Sequence, residues 1–405
     1  MKSLRDLYKI GRGPSSSHTM GPSKAAGIYA LRHPDAQGFV VTLYGSLSAT
    51  GKGHLTDVAI RDVLEKVAPV RFEWSKEFLP FHPNAMKFEV LSSDGSLSDS
   101  WTVYSIGGGE LSEGEDAGPA AESALAADEV YPLDTLNQIQ DWCEENGLTY
   151  WEYVQQCEGP DIWNYLSEIW DVMQKSVEEG LQNEGVLPGP IHLQRKATVY
   201  YVKANGYKPS LQSRGLVHAY ALAVSEQNAS GGTIVTAPTC GSSGVIPAVM
   251  YHMKHGHGFS DQRIFKALAT GGLFGNVVKH NASISGADVG CQGEVGVACA
   301  MAAAAVCQLF GGTNAQIEYA AEMGLEHHLG MTCDPVCGLV QVPCIERNAF
   351  AATRALDANF YAMFSDGRHI VSFDDVVSVM KQTGHDLPNL YKETGIGGLA
   401  ASYRK

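Results

Sequence analysis

The sequence predicts a small α+β domain followed by a larger, mostly α-helical domain. Three observations point there. Strand-like runs crowd the first 110 residues, strand signals nearly vanish after residue 131, and helical periodicity is sustained from about residue 134 onward. An acidic, turn-rich stretch, Leu111-Ser-Glu-Gly-Glu-Asp-Ala-Gly-Pro119, separates the two regimes. We therefore expect domains over 1–125 and 132–405, joined by a linker over 126–131.

In the first part, Phe39-Val-Val-Thr-Leu-Tyr44 is a strand closed by Gly45. The runs 87–91 and 100–106 flank the turn Ser92-Ser-Asp-Gly95, which predicts a hairpin. Residues 56–67 have helical spacing, with Val58, Ile60, Val63 and Leu64 on one side. In the second part, helices are expected over 135–146, 161–180, 216–226, 261–273, 294–310, 315–328, 345–364 and 373–383. The glycine-rich connections between them, such as Pro238-Thr-Cys-Gly-Ser-Ser-Gly244, suit close backbone approaches better than plain linkers.

Composition narrows the function. The 405 residues are 44% hydrophobic and 18% charged, a globular composition with material for a core. A net charge of −15 argues against nucleic acid and against anionic membrane surfaces as partners. The apolar run Val295 to Phe310 is short for a membrane span and reads as a buried helix. Met1 to Lys9 carries charges and no apolar stretch follows, so a cytoplasmic protein is expected. Structural disulfides are then not expected among the nine cysteines.

Cys143, Cys157, Cys299 and Cys307 fall inside helical patterns and read as buried small hydrophobes. Cys291, Cys333 and Cys344 instead sit at helix breaks. A cysteine at a helix start feels the positive end of the dipole, which favours a metal-binding thiolate. No CxxC pair occurs, so from spacing alone a metal or cluster site stands beside a set of unrelated buried thiols.

Longer motifs add to this. Cys291-Gln-Gly-Glu-Val-Gly-Val-Ala-Cys299, Glu326-His-His-Leu-Gly-Met-Thr-Cys-Asp-Pro-Val336 and Gly338-Leu-Val-Gln-Val-Pro-Cys-Ile-Glu-Arg-Asn-Ala349 resemble the iron–sulfur L-serine dehydratases, or L-serine ammonia-lyases. So do Gly13-Pro-Ser-Ser-Ser-His-Thr-Met-Gly-Pro22, Tyr44-Gly-Ser-Leu-Ser-Ala-Thr-Gly-Lys-Gly-His-Leu-Thr-Asp57, Phe81-His-Pro-Asn84, Tyr104-Ser-Ile-Gly-Gly-Gly109, Tyr391-Lys-Glu-Thr394 and Gly397-Gly-Leu-Ala400. The resemblance covers nearly the whole chain and implies a β-type part fused to an α-type part. It implies a [4Fe–4S] cluster on Cys291, Cys333 and Cys344 with one open iron, no pyridoxal phosphate, L-serine as substrate, and a homodimer. The open iron would act as Lewis acid on the serine hydroxyl while a side-chain base removes the α proton. 2-Aminoacrylate would result, then pyruvate and ammonia.

For the base we rank His54, in the tight loop Gly51-Lys-Gly-His, and then His18; a histidine titrates near working pH. Ser15, Ser16, Ser17 and Thr19 offer hydroxyls and N–H groups to a carboxylate, although a Ser-rich helix cap looks the same. His82, Asn84, Gly107, Gly108, Thr236, Thr239 and Asn281 are further substrate-binding candidates. Cys240, Cys337 and Gly395 depart from the family pattern. No cysteine follows Cys344, so a cysteine plug from the C-terminal tail is not expected. Four alternatives remain on sequence grounds: a pyridoxal-phosphate dehydratase, a non-catalytic amino-acid sensor, a zinc protein on the same cysteines, and the same cluster acting on L-threonine or L-cysteine.

Overall fold

The computed structural model describes residues 1–92, 95–113 and 129–403. Its strands are β1 (Ile10–Arg12), β2 (Gly38–Leu43), β3 (Val70–Trp74), β4 (Ala85–Leu91), β5 (Leu97–Gly107), β6 (Glu110–Ser112) and β7 (Thr233–Val235). Five of them form one sheet in the order β3-β2-β4-β5-β6. The β4–β5 hairpin is the expected one, paired antiparallel from Ala85↔Tyr104 to Leu91↔Leu97. β3 pairs parallel with β2 and was not foreseen; its alternating Val-Arg-Phe-Glu-Trp is half polar, and its partner lies two helices away in sequence.

Phe39, Val41 and Leu43 alternate along β2 and join Phe88 and Val103 in a core beneath helices Gly21–Arg32 and Thr56–Leu64. Ala25, Ala26 and Tyr29 come from the first helix, Ile60 and Leu64 from the second.

The second part is helical. Its centre is Val297–Leu309, whose alanines let neighbours approach closely on every side; helices Asp261–Asn281, Asn314–Glu326 and Cys344–Met363 pack around it. The apolar run read as a buried helix is buried there. Helices Tyr150–Glu158, Ala197–Asn205 and Val245–His257 are additions to those the periodicity predicts, and Pro209–Ala229 starts well before residue 216.

The two parts interlock. Leu4, Leu7 and Tyr8 belong to the helical core, and Tyr8 donates its hydroxyl proton to Leu268 O at 3.0 Å. β1 pairs antiparallel with β7, the one strand after residue 131 among the described residues. Of the linker expected at 126–131, residues 126–128 lie outside the described residues; Val130 and Tyr131 donate their N–H groups to Met1 O.

A charged cluster also spans the seam. Glu110, at the end of the sheet, contacts Lys279, Lys9 (3.6 Å) and Lys2 (3.4 Å), and Lys9 Nζ donates to Gly108 O at 3.0 Å. Burial alone would raise Glu110, but Lys279 and Lys9 hold its carboxyl down to about 2. Removing one partner leaves buried charge uncompensated. Glu110→Gln is therefore expected to cost about 3 kcal/mol of stability, measured as a lower midpoint in urea unfolding.

Candidate active site

Two segments of the α+β part present histidines to the helical part. Ser15 caps a single wide turn, Ser16–Met20, in which Met20 N–H donates to Ser15 O at 3.1 Å across five residues. Such π turns gather at functional sites. The short helix Gly45–Thr50 supplies Ser46 and Thr50, and the loop after it carries His54. That loop touches the helical part at Gly53, where a Cβ would stand 2.9 Å from Gly338 O, so only glycine permits the approach.

The His18 and His54 rings lie 4.4 Å apart, fully buried. Their tautomers follow from their neighbours. Thr50 Oγ1 gives its one proton to Ser46 O at 3.0 Å, so at 3.2 Å it accepts from His54 Nδ1–H. The other nitrogen, His54 Nε2, then carries a lone pair, and it is buried with no hydrogen-bond partner. Ser46 Oγ gives its proton to Glu393 O at 3.1 Å and so accepts from His18 Nε2–H at 3.0 Å. His18 Nδ1 accepts from Ser17 Oγ at 2.9 Å. Both rings of His18 and His54 are thus oriented by hydroxyls, and only His54 has a nitrogen to spare.

Glu393 faces both histidines. Its Oε1 is 3.6 Å from His18 Nδ1 and 3.8 Å from His54 Nε2. Burial, with Glu294 adding to it, pushes the Glu393 carboxyl well above its ordinary range. Burial pushes His18 down, with the His54 charge adding, and holds His54 down to about 4. Burial thus disfavours the charged form of all three groups. Their ligand atoms lie within 4.8 Å of one another, close enough to share a proton or to hold a metal ion.

Glu393 arrives there through the cysteines. Cys333 N–H donates to Tyr391 O at 2.8 Å and Glu393 N–H donates to Cys333 O at 2.6 Å, so the C-terminal segment runs as a short bridge beside Cys333. Cys291 precedes the wide turn Gln292–Gly296, and Cys344 opens the helix Cys344–Met363. Cys291 and Cys344 both lie close enough to Cys333 to act on it. Burial raises Cys333, with Glu393, Glu294, Cys291 and Cys344 adding; it raises Cys344, with Cys291 adding; and it raises Cys291 to about 11. The Arg347 guanidinium is near enough to pull Cys291 down against burial, and one of its N–H groups goes to Thr332 O at 2.6 Å.

Glu294 closes the space between the cysteines and the glycine-rich loop. It accepts from Thr239 Oγ1 at 2.8 Å, and Cys333 Sγ lies 3.9 Å from its other oxygen. Gly286 makes room for it, since a Cβ there would stand 2.5 Å from Glu294 Oε2 and 3.1 Å from Cys333 Sγ.

The sequence candidates divide accordingly. Ser15, Ser16, Ser17, Thr19, His18 and His54 come together, with Thr19 Oγ1 donating to His54 O at 2.7 Å. His82 is close enough for its charge to act on His18, and burial holds it down to about 4. Asn84 donates to Ser105 O at 3.3 Å while its Oδ1, Ser105 Oγ and Ser285 Oγ are buried without partners. Gly107 lies against Ser285, and Gly108 gives its carbonyl to Lys9. A buried polar atom left unpaired costs about 1–3 kcal/mol, so this row is suited to a polar ligand.

Two candidates are engaged elsewhere. Thr236 Oγ1 donates to Leu7 O at 2.6 Å and accepts from Lys9 N–H at 2.9 Å, fastening the N-terminal strand. Asn281 donates to the carbonyls of Asp134 (2.6 Å) and Val277 (3.0 Å). Cys240 is buried against Met20, and Cys337 is exposed. Ser46, Thr50, Glu294, Arg347 and Glu393 had no role assigned from sequence, although each stands inside a quoted motif.

Comparison with known proteins accounts for both parts. The serine dehydratase beta chain family matches residues 3–74 and 64–116, and the serine dehydratase alpha chain family matches residues 111–400. The L-serine dehydratase of Streptomyces coelicolor is 40% identical, over 99% of this chain and 98% of its own length. L-serine dehydratase 1 of Escherichia coli K12 is 39% identical over 99% of both chains, and the Helicobacter pylori L-serine dehydratase is 33% identical over 99% of both.

Proposed function

Given that the chain belongs to the serine dehydratase family, with beta and alpha parts in one polypeptide, we propose that it is an L-serine ammonia-lyase working through a [4Fe–4S] cluster on Cys291, Cys333 and Cys344. The observation that carries this is the convergence of a buried, unpartnered imidazole nitrogen with three neighbouring cysteines, two buried and Cys344 half-buried, joined through Glu393.

The cysteines fit such a group. They come from three separate segments, they are close enough to act on one another electrostatically, and Arg347 stands beside them to offset thiolate charge. Burial keeps the free thiols protonated, so a cation is what would turn them into ligands. When bound, the cluster supplies a Lewis acid for the departing hydroxyl.

The protein's own groups do the rest. His54 Nε2 takes the α proton, while Thr50 holds the ring in the tautomer that leaves this nitrogen free. Ser15 Oγ takes the His18 N–H, and the Ser16 and Ser17 N–H groups that open the turn suit the substrate carboxylate. Asn84 Oδ1, Ser105 Oγ and Ser285 Oγ can receive the ammonium. Loss of the α proton and of the β hydroxyl gives 2-aminoacrylate. Its imine tautomer takes up water and releases pyruvate and ammonia.

Because burial disfavours the imidazolium, His54 stays a base well below the ordinary histidine range. Activity is lost only as pH falls through about 4, where the ring is protonated. The expected kcat/KM for L-serine is flat from pH 8 to 5; an acid limb near 6.5 would contradict it. The function itself is tested by assaying pyruvate and ammonia from L-serine under anaerobic conditions, with L-threonine and L-cysteine alongside. No pyruvate from L-serine in an iron-loaded sample would sink the proposal.

A further inference from the structure

A second cavity, of ≈ 630 Å³, opens between the helices Asn314–Glu326 and Cys344–Met363. None of the groups assigned above to the reaction lines it. Its wall contains Glu322, only 3% exposed, whose carboxylate meets no hydrogen-bond or ion-pair partner among the described residues. The neighbouring carboxylates have contacts of their own. Glu318 Oε2 is 2.8 Å from His369 Nε2, Glu326 is 3.5 Å from His327, and Asp357 is 3.5 Å from Arg214. Opposite in sign stands Arg354, which gives one N–H to His327 O at 2.7 Å and has further donors for the cavity. The remaining wall comes from Met323, Ala358, Ile370 and Val371, with Tyr319 and Tyr361 beside them; Ile370 and Val371 form its exposed rim.

Burying a carboxylate is costly, and burial, with the Glu326 charge adding and His369 pulling against it, pushes Glu322 up to about 7. A ligand bearing only a cation would leave Arg354 unmatched, and one bearing only an anion would meet Glu322. A zwitterion satisfies both, and the volume is that of a small-molecule site.

We propose that this cavity binds an α-amino acid with an apolar side chain. The ammonium pairs with Glu322, the carboxylate with Arg354, and the side chain lies on Met323, Ile370 and Val371. Arg354 shares its helix with Cys344 and Arg347, so an occupant touches a helix that carries one of the three cysteines.

Calorimetric titration of the full-length protein with L-leucine tests this, independently of catalysis. L-leucine is expected to bind, and 4-methylvalerate and isoamylamine, which each lack one charge, to bind at least roughly tenfold more weakly. Glu322→Gln and the exposed Arg354→Gln should each weaken L-leucine by a similar factor, while His54→Gln leaves it unchanged. Absence of binding by L-leucine, L-valine and L-methionine overturns the proposal. So does binding that survives both cavity variants and disappears in His54→Gln, which would place the ligand in the active site. A dimer that Ile370→Asp splits, without amino-acid binding in either form, would assign the cavity to a second copy of the chain instead.

Discussion

Cys333→Ser is expected to remove bound iron and L-serine turnover together. Cys333 is the thiol on which Cys291, Cys344, Glu294 and Glu393 all act, and its backbone carries the bridge that delivers Glu393 to the histidines. Serine keeps the size and the bridge but offers a poor ligand to iron. The loss should exceed the effect of any polar substitution in the site, and the far-ultraviolet spectrum should be unchanged. Iron content measured with the rate separates the causes. Activity lost with iron retained would mean that Cys333 positions Glu393 and does not ligate.

His54→Gln is expected to lower kcat by about 10²–10⁴-fold while iron content stays at the level of the unsubstituted protein. Glutamine preserves a polar side chain in the buried space but cannot accept the α proton. His18→Gln should cost less, because both His18 nitrogens are already engaged by Ser17 and Ser46. A solvent-exchange measurement sharpens the comparison. If His54 is the base, exchange of the serine α proton with deuterated water is lost in His54→Gln and kept in His18→Gln. The reverse order would move the base to His18.

Much of this site was legible in the sequence because its residues stand in long, contiguous motifs. His54 sits in a glycine loop, Ser15 to Thr19 form one turn, and the three cysteines stand at breaks in the helical pattern. What was not legible depends on contacts between remote segments. Glu393 gains its position only through the bridge to Cys333, sixty residues earlier in the chain. Glu294 reads as one acid on an apolar helix until the fold sets Thr239 and Cys333 against it. The same physics explains the candidates that lie elsewhere. Thr236 stands in a loop of the right composition, but its hydroxyl fastens Leu7 and Lys9.

The fold followed a similar division. β2 and the β4–β5 hairpin carry strong local signals, whereas β3 depends on a parallel partner separated from it by the helices Gly45–Thr50 and Thr56–Leu64. The first eight residues belong to the helical core because Leu4, Leu7 and Tyr8 bury their side chains against it. Nothing local to that segment announces a destination so far along the chain.

The central claim is that the three cysteines hold an iron–sulfur cluster that serves the His54 base. The most direct measurement is iron and acid-labile sulfide per chain, with the visible spectrum and the rate of pyruvate formation from L-serine, all on one anaerobically reconstituted sample. The account predicts a brown protein with about four irons and four sulfides per chain, whose activity rises in proportion to its iron. A colourless protein that deaminates L-serine at full rate would contradict it.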